Sequence, residues 1–206
     1  SYTDMKTTLV SGILGSGIMM HNFHRNVQAP ANFTGQMAIT NSAPHEFDSA
    51  RFILDCDYKS ISAFQPGRAD DARTGAPVFM VLETTGGHLV NIEINNNAGY
   101  GYDVRGELVA ERGSVFLNAP VSSRTNAALQ SVERYPADWR PRFAEAYRLQ
   151  NRAWIKSIQT GKPSEIAATA WDGYCAAAVA QAGVEALATG LRAPVHLIEK
   201  PALYRK

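Results

Sequence analysis

The sequence predicts an α+β domain built on a mostly antiparallel sheet, and three observations carry this reading. Strand-like segments gather in the middle of the chain, between residues 78 and 117, while helical periodicity marks residues 41–54 and the last third. Turn signals at Thr85-Gly86-Gly87 and Glu111-Arg112-Gly113 separate neighbouring strands as hairpins do, with no helix between them. The strand–GxGxxG–helix unit of a doubly wound domain is missing. The nearest run, Gly12 to Gly17, has its glycines in the wrong order, follows a helix and leads into a strand, so it reads as a helix stop and turn.

In chain order, residues 2–14 read as a short amphipathic helix ended by Gly15. Ile18 to Asn26 reads as a strand, and 28–40, with Pro30 and Gly35, as an irregular loop. Asn41 to Leu54 predicts a helix with Asn41 as N-cap and an apolar stripe of Phe47, Ala50, Ile53 and Leu54. Lys59 to Phe64 is a strand, and Pro66 to Gly75 a polar loop. Val78 to Glu83 is apolar on both faces, which predicts a strand covered on both sides. Leu89 to Asn95 returns from the first hairpin turn, and Tyr102 to Val109 with Ser114 to Leu117 forms the second hairpin. Phe143, Tyr147, Gln150, Trp154 and Ile158 share one helical face, stopped by Gly161 and Pro163. Trp171, Tyr174, Cys175, Val179, Ala182 and Ala186 trace an Ala-rich final helix that stops at Gly190.

The chain has 206 residues, 45% of them apolar and 19% charged, with a formal net charge of +1. This is globular composition, and the balance argues against a nucleic-acid binder, which carries a basic excess. No apolar run is long enough for a bilayer. Cys56 and Cys175 lack metal or redox spacing and read as free thiols, so a cytoplasmic protein is expected. The acceptor Asn32-Phe33-Thr34 has no meaning there. The first residue is Ser1, which suggests a piece of something longer.

Three constellations could carry chemistry. In Asn41-Ser42-Ala43-Pro44-His45-Glu46-Phe47-Asp48, helical spacing puts Asn41, His45 and Asp48 on one face. A histidine there can exchange a proton near neutral pH, with a polar neighbour one turn away to orient it. The same residues also read as a helix start with a half-buried histidine. In Met19 to Asn26, strand alternation puts Asn22, His24 and Asn26 on one face and His21, Phe23 and Arg25 on the other. The first face suits a polyhydroxylated ligand, or is a solvated strand face. The alternation also points His21 and His24 in opposite directions, against a shared metal. In Asn95 to Asp103, the even-numbered face passes from Val90, Ile92 and Ile94 to Asn96, Tyr100 and Tyr102. It is either a core edge opening into a polar cleft, with the glycines bulging the strand, or a loop with surface aromatics.

Taken in order, Met20–Asn26 (family pattern H-x-x-H-R-N), Asn41–Asp48 (family pattern D-x-x-x-H-E-x-D), Tyr100–Asp103 (YGYD), Asp138–Tyr147 (DWxxRFxxAY) and Trp171–Ala176 (family pattern WDGYAA, here with Cys175) resemble the glucose–fructose oxidoreductase/inositol dehydrogenase family, in particular its inositol 2-dehydrogenases. The resemblance implies a large open sheet with helices on one face, spanning residues 1–206 as one substrate-binding and oligomerisation domain. An N-terminal dinucleotide-binding domain, holding NAD or NADP and a lysine partner, would lie outside this chain. It implies that His45 is the catalytic acid/base, assisted by Asn41. His24 and Asn26 would contact hydroxyls of myo-inositol or a related cyclitol or sugar, with Tyr102 and Tyr100 nearby. Asn41 stands where the family has Asp; it can orient the ring but not stabilise an imidazolium. Trp139, Phe143, Trp171 and Asp172 match too and read mainly as packing and capping. The expected partners are a second copy of the chain, as dimer or tetramer through the sheet face, and a small polyhydroxylated substrate, with neither nucleic acid nor membrane. The isolated chain is expected to be inactive. The alternative is a non-catalytic sugar-binding or assembly module.

Overall fold

The structure, a computed structural model, describes residues 1–66, 77–121, 123–164 and 166–205; from residue 67 the polar loop expected over 66–75 lies outside them. Helix α1 (Tyr2–Val10) precedes strand β1 (Gly17–Arg25). A helical turn, α2 (Gly35–Met37), then runs through a π-helical turn at Ala38–Ser42 into α3 (Pro44–Leu54). Strands β2 (Tyr58–Phe64), β3 (Val78–Thr84), β4 (Leu89–Asn95), β5 (Asp103–Ala110) and β6 (Gly113–Phe116) follow. A small hairpin of β7 (Arg124–Ala127) and β8 (Gln130–Glu133) leads to α4 (Arg140–Thr160), α5 (Ala170–Thr189) and the short β9 (Ala193–Pro194).

Seven strands form one sheet in the order β6-β5-β1-β4-β3-β2-β9. Every pairing is antiparallel except β1 with β4. The α+β class and the antiparallel sheet are therefore as expected. One face carries Met20, Ile61, Met80, Leu82, Val90, Ile92, Ile94 and Leu108, all fully buried, against Phe47 and Ile53 of α3 and Val179 and Ala186 of α5. Each such large side chain contributes about 1.5–3 kcal/mol by leaving water. Helix α5 comes close enough that a Cβ on Gly183 would stand 3.0 Å from Ile39 and 3.1 Å from Ile61. This close approach accounts for the small residues along that helix.

Several local expectations are corrected. Helix α1 ends at Val10, and 11–14 are turns in which Gly12 takes a positive φ of 73°. Asn41 is not an N-cap, because α3 starts at Pro44 and is capped from Ala43. Proline has no N–H to lose at a first helical position. Ahead of it the Ala43 N–H reaches back to the Ala38 carbonyl at 3.0 Å, the five-residue step of a π turn. The loop expected over 28–40 contains α2, whose cap Thr34 accepts from the Met37 N–H. Among the described residues strand β3 is covered on one face: Val78 and Met80 are fully buried, whereas Phe79 is 42% exposed. The β7–β8 hairpin and β9 were not anticipated. They are short, and the hairpin is almost wholly exposed, so no apolar period marks it.

Candidate functional site

The end of β1 supplies the floor of a cleft of about 1070 Å³. Alternation along β1 turns Asn22 and His24 to the covered face, where His24 stands in register with Ile94 of β4 and Val104 of β5. Asn26 lies just past the strand, its backbone N–H bonded to the Asn95 carbonyl at 3.0 Å and its own carbonyl accepting from Ala98 N–H at 2.8 Å. The π turn and α3 form one wall. They bring Asn41, Ser42, His45, Glu46 and Asp48 to the same cleft. Helix α4 and the start of α5 form the opposite side, with Trp139, Phe143 and Tyr147 from the first and Asp172 from the second.

The polar atoms on the floor are connected. His24 Nδ1 lies 2.9 Å from Glu46 Oε1, Asn26 Nδ2 is 3.1 Å from His24 Nε2 and 2.6 Å from Asn96 Oδ1, and Asn96 Nδ2 donates to Ser42 Oγ at 2.9 Å. His45 is exposed at the mouth, its ring nearly parallel to that of His24 with centroids 6.2 Å apart. Tyr102 stands edge-on to His24 at 6.4 Å and edge-on to Phe143 at 6.3 Å. Burial, and then the Glu46 carboxylate, pushes its phenol well above the ordinary tyrosine range, so the hydroxyl remains a hydrogen-bond donor at neutral pH. Burial and the Asp172 charge raise the Asp48 carboxyl, against the opposing pull of Arg51 and His45.

The structure thus brings His24, Asn26, Asn41, His45 and Tyr102 to one cleft. Asn41 and His45 share it without a hydrogen bond between them; Asn41 Oδ1 accepts from the Thr40 hydroxyl at 3.1 Å. Tyr100 does not join them. Its hydroxyl donates to Asp103 at 2.9 Å and accepts from Arg25 at 3.2 Å, and its ring meets Tyr135 at 4.9 Å. The positive φ of Gly99 and Gly101 breaks the alternation that the sequence reading carried through this segment. Trp171 and Asp172 do serve packing and capping: Trp171 is buried, and Asp172 forms a capping box with Thr169. Trp139 and Phe143 do more than pack, because they line the cleft.

Sequence reasoning missed Glu46, Ser42 and Tyr2. The signal for Glu46 was its charge at a position facing the core side of α3. Asn96, to which the even-numbered face pointed, lies just past β4 and joins the floor network. Among the described residues no group of three or more His, Cys, Asp or Glu is placed to hold a metal ion, and no helix is long and apolar enough to cross a membrane.

Comparison with known proteins places this arrangement. The GFO/IDH/MocA C-terminal domain matches residues 2–116. Inositol 2-dehydrogenase 2 of Saccharopolyspora erythraea is 43% identical over 208 residues, covering 99% of this chain and 60% of the relative. Inositol 2-dehydrogenase of Streptomyces avermitilis is 39% identical over 205 residues, covering 98% and 59%. The chain therefore spans about 60% of the length of the curated relatives it matches. Among solved structures, myo-inositol dehydrogenase of Lactobacillus casei in complex with NAD(H) and myo-inositol superposes with a TM-score of 0.90 at 26% identity, over 99% of this chain and 61% of that one.

Proposed function

The chain belongs to the GFO/IDH/MocA C-terminal domain family, and from that premise we propose that it is the substrate-binding and oligomerisation domain of an NAD-dependent dehydrogenase. Its substrate would be myo-inositol or a related cyclitol, oxidised at one hydroxyl to the ketone. The observation that carries this reading is the convergence of His45, His24, Asn26 and Tyr102 on one cleft. Relatives bearing the name inositol 2-dehydrogenase support the choice of substrate class.

Among the described residues the glycine-rich run offers no strand-to-helix phosphate cradle. The glycine run at 12–17 is a turn between α1 and β1, and Arg112 donates to its Gly12 and Ile13 carbonyls. The cofactor would be held by a further domain, and once bound it supplies the hydride acceptor. The work left to this chain is to hold the ring and move a proton. His45 is the exposed imidazole at the mouth, and it would take the proton of the reacting hydroxyl as the carbonyl forms. Tyr102 donates, and Asn26 holds the far side of the ring, backed by His24, whose two ring nitrogens are bonded to Glu46 and Asn26. Asn41, neutral and bonded to Thr40, contributes polarity to the mouth without a charge to stabilise an imidazolium.

The uncovered sheet face would be closed by a second copy of the chain. The free thiols Cys56 and Cys175 suit a reducing cytoplasm. Steady-state assay of the complete protein with NAD and a cyclitol panel tests the assignment. His45→Ala is expected to lower kcat/KM about a thousandfold while the 206-residue fold persists. Unchanged turnover would remove His45 from the chemistry, and tight cyclitol binding with no turnover by the complete protein would turn the reading to a binding module.

A further inference from the structure

A chain of hydrogen bonds runs under the cleft, and its direction is set from one end. Glu46 is 3% exposed. A carboxylate only accepts, so His24 Nδ1, 2.9 Å from Oε1, is the donor. A neutral ring that donates through Nδ1 accepts at Nε2, and Asn26 Nδ2 is 3.1 Å from that atom. The same nitrogen carries a second hydrogen, which goes to Asn96 Oδ1 at 2.6 Å. Asn96 in turn donates to Ser42 Oγ at 2.9 Å. Once the first bond is fixed, every later one has a single allowed direction. Both N–H bonds of the Asn26 amide are then used inside the protein, and its carbonyl Oδ1 is the atom left for the cleft. Among the described residues the other oxygen of Glu46 is buried with no hydrogen-bond partner, so His24 is the partner that this carboxylate has.

We infer that Glu46 is a positioning residue: acting through His24, it holds Asn26 with its carbonyl oxygen toward the cleft, so that this position reads a hydroxyl donor on the substrate. This rests on the reading of the cleft as a cyclitol site. The reverse polarity would offer an N–H instead and would accept an ether or carbonyl oxygen equally well. With this polarity, a cyclitol methylated at the hydroxyl facing Asn26 presents an acceptor to an acceptor and is refused. The same polarity gives His24 a linking role, since both of its ring nitrogens are engaged by the protein.

The tautomer of His24 is measurable on the 206-residue chain by long-range proton–nitrogen correlation with labelled histidine. At mildly alkaline pH the expected spectrum is the neutral Nδ1–H form. Free neutral imidazole in water favours the other form. Glu46→Leu, which removes the acceptor, should return His24 to Nε2–H. A wild-type spectrum of Nε2–H or of a doubly protonated ring overturns the inference, and so does a Leu variant that keeps Nδ1–H. If the Leu variant does not fold, the wild-type spectrum alone decides. In the complete protein, Glu46→Leu is expected to raise KM for myo-inositol about tenfold with KM for NAD unchanged. An unchanged KM for inositol, or a loss confined to NAD, sinks the positioning role. A wild-type protein that does not oxidise cyclitols defeats the proposed function instead, while the tautomer still decides whether Glu46 controls His24.

Discussion

Tyr100 and Tyr102 show what one residue's backbone angle decides. The sequence put both on one strand face, by an alternation that holds only for extended backbone. Gly101 takes a φ of 147°, and a Cβ built there would stand 2.2 Å from Cβ of Tyr135. Only a residue without a side chain lets the segment pass Tyr135 and then bond the Tyr102 N–H to the Pro136 carbonyl at 2.7 Å. Tyr102 is thereby delivered to the cleft and Tyr100 is sent to the Arg25–Asp103 side. Gly101→Ala is expected to cost about 1–3 kcal/mol in chemical denaturation. It should also raise KM for the cyclitol, because Tyr102 moves with the segment. A variant of wild-type stability would mean that Tyr135 yields freely. The shared strand face of His24 and Asn26 and the helical place of His45 were legible from periodicity, and their candidate roles from the family resemblance. Glu46 was hidden by its residue type, since a glutamate on a helix is ordinarily a solvated one.

At the scale of elements, the join between α3, β2 and α5 carries a set of paired charges beside the apolar core. Arg51 of α3 bonds Asp57 Oδ1, just ahead of β2, through Nε at 2.9 Å and Nη2 at 2.8 Å, and reaches Asp172 of α5 at 3.2 Å. Asp172 also closes the capping box, accepting from the Thr169 N–H and hydroxyl at 2.8 Å each. Burial by itself would raise the Asp172 carboxyl, but the hydrogen bonds from Thr169 and Arg51 outweigh it and hold the group below the usual carboxylate range. A carboxyl depressed in the folded state stabilises above its unfolded pKa and loses that contribution as pH falls through the folded value. Asp172→Ala is therefore expected to cost about 1 kcal/mol near neutral pH. The difference from wild type should shrink as pH drops below the carboxylate range, read by thermal unfolding at stepped pH. A difference independent of pH would assign the loss to packing. The sequence reading gave Asp172 a capping role, and its partner Thr169, three residues earlier, is a local pattern of that kind. It misplaced the cap of α3, because the π turn that carries Asn41 past that position depends on how that turn packs against β4 and α5 rather than on local propensity.

At the scale of the whole molecule, the described residues leave one face of the sheet uncovered, and the residues there decide what can meet it. Phe64 and Phe79 lie opposite each other on β2 and β3 and are 54% and 42% exposed. Leu89 and Phe116 are also exposed on strands of the same sheet. Around them sit charges that are already paired, such as Arg25 with Glu93 at 2.7 Å, while Arg25 and Arg105 lie over the Phe23 ring at 4.5 Å and 4.6 Å. Paired charges cost less to desolvate than free ones, so the face suits another surface of the same mixed kind. This also explains the apolar run of Val78 to Glu83, read from the sequence as covered on both sides: this chain supplies one cover, and a second copy would supply the other. Phe79→Lys tests it, since Phe79 points away from the fully buried Val78 and Met80, and the change should leave monomer stability within about 0.5 kcal/mol. It places an ammonium against an apolar partner surface and is expected to weaken self-association about tenfold to a hundredfold in sedimentation velocity, equivalent to about 1.4–2.8 kcal/mol. A wild-type chain that stays monomeric at micromolar concentration, or a Phe79→Lys variant that associates as tightly as wild type, would mean that this face meets something other than its own copy.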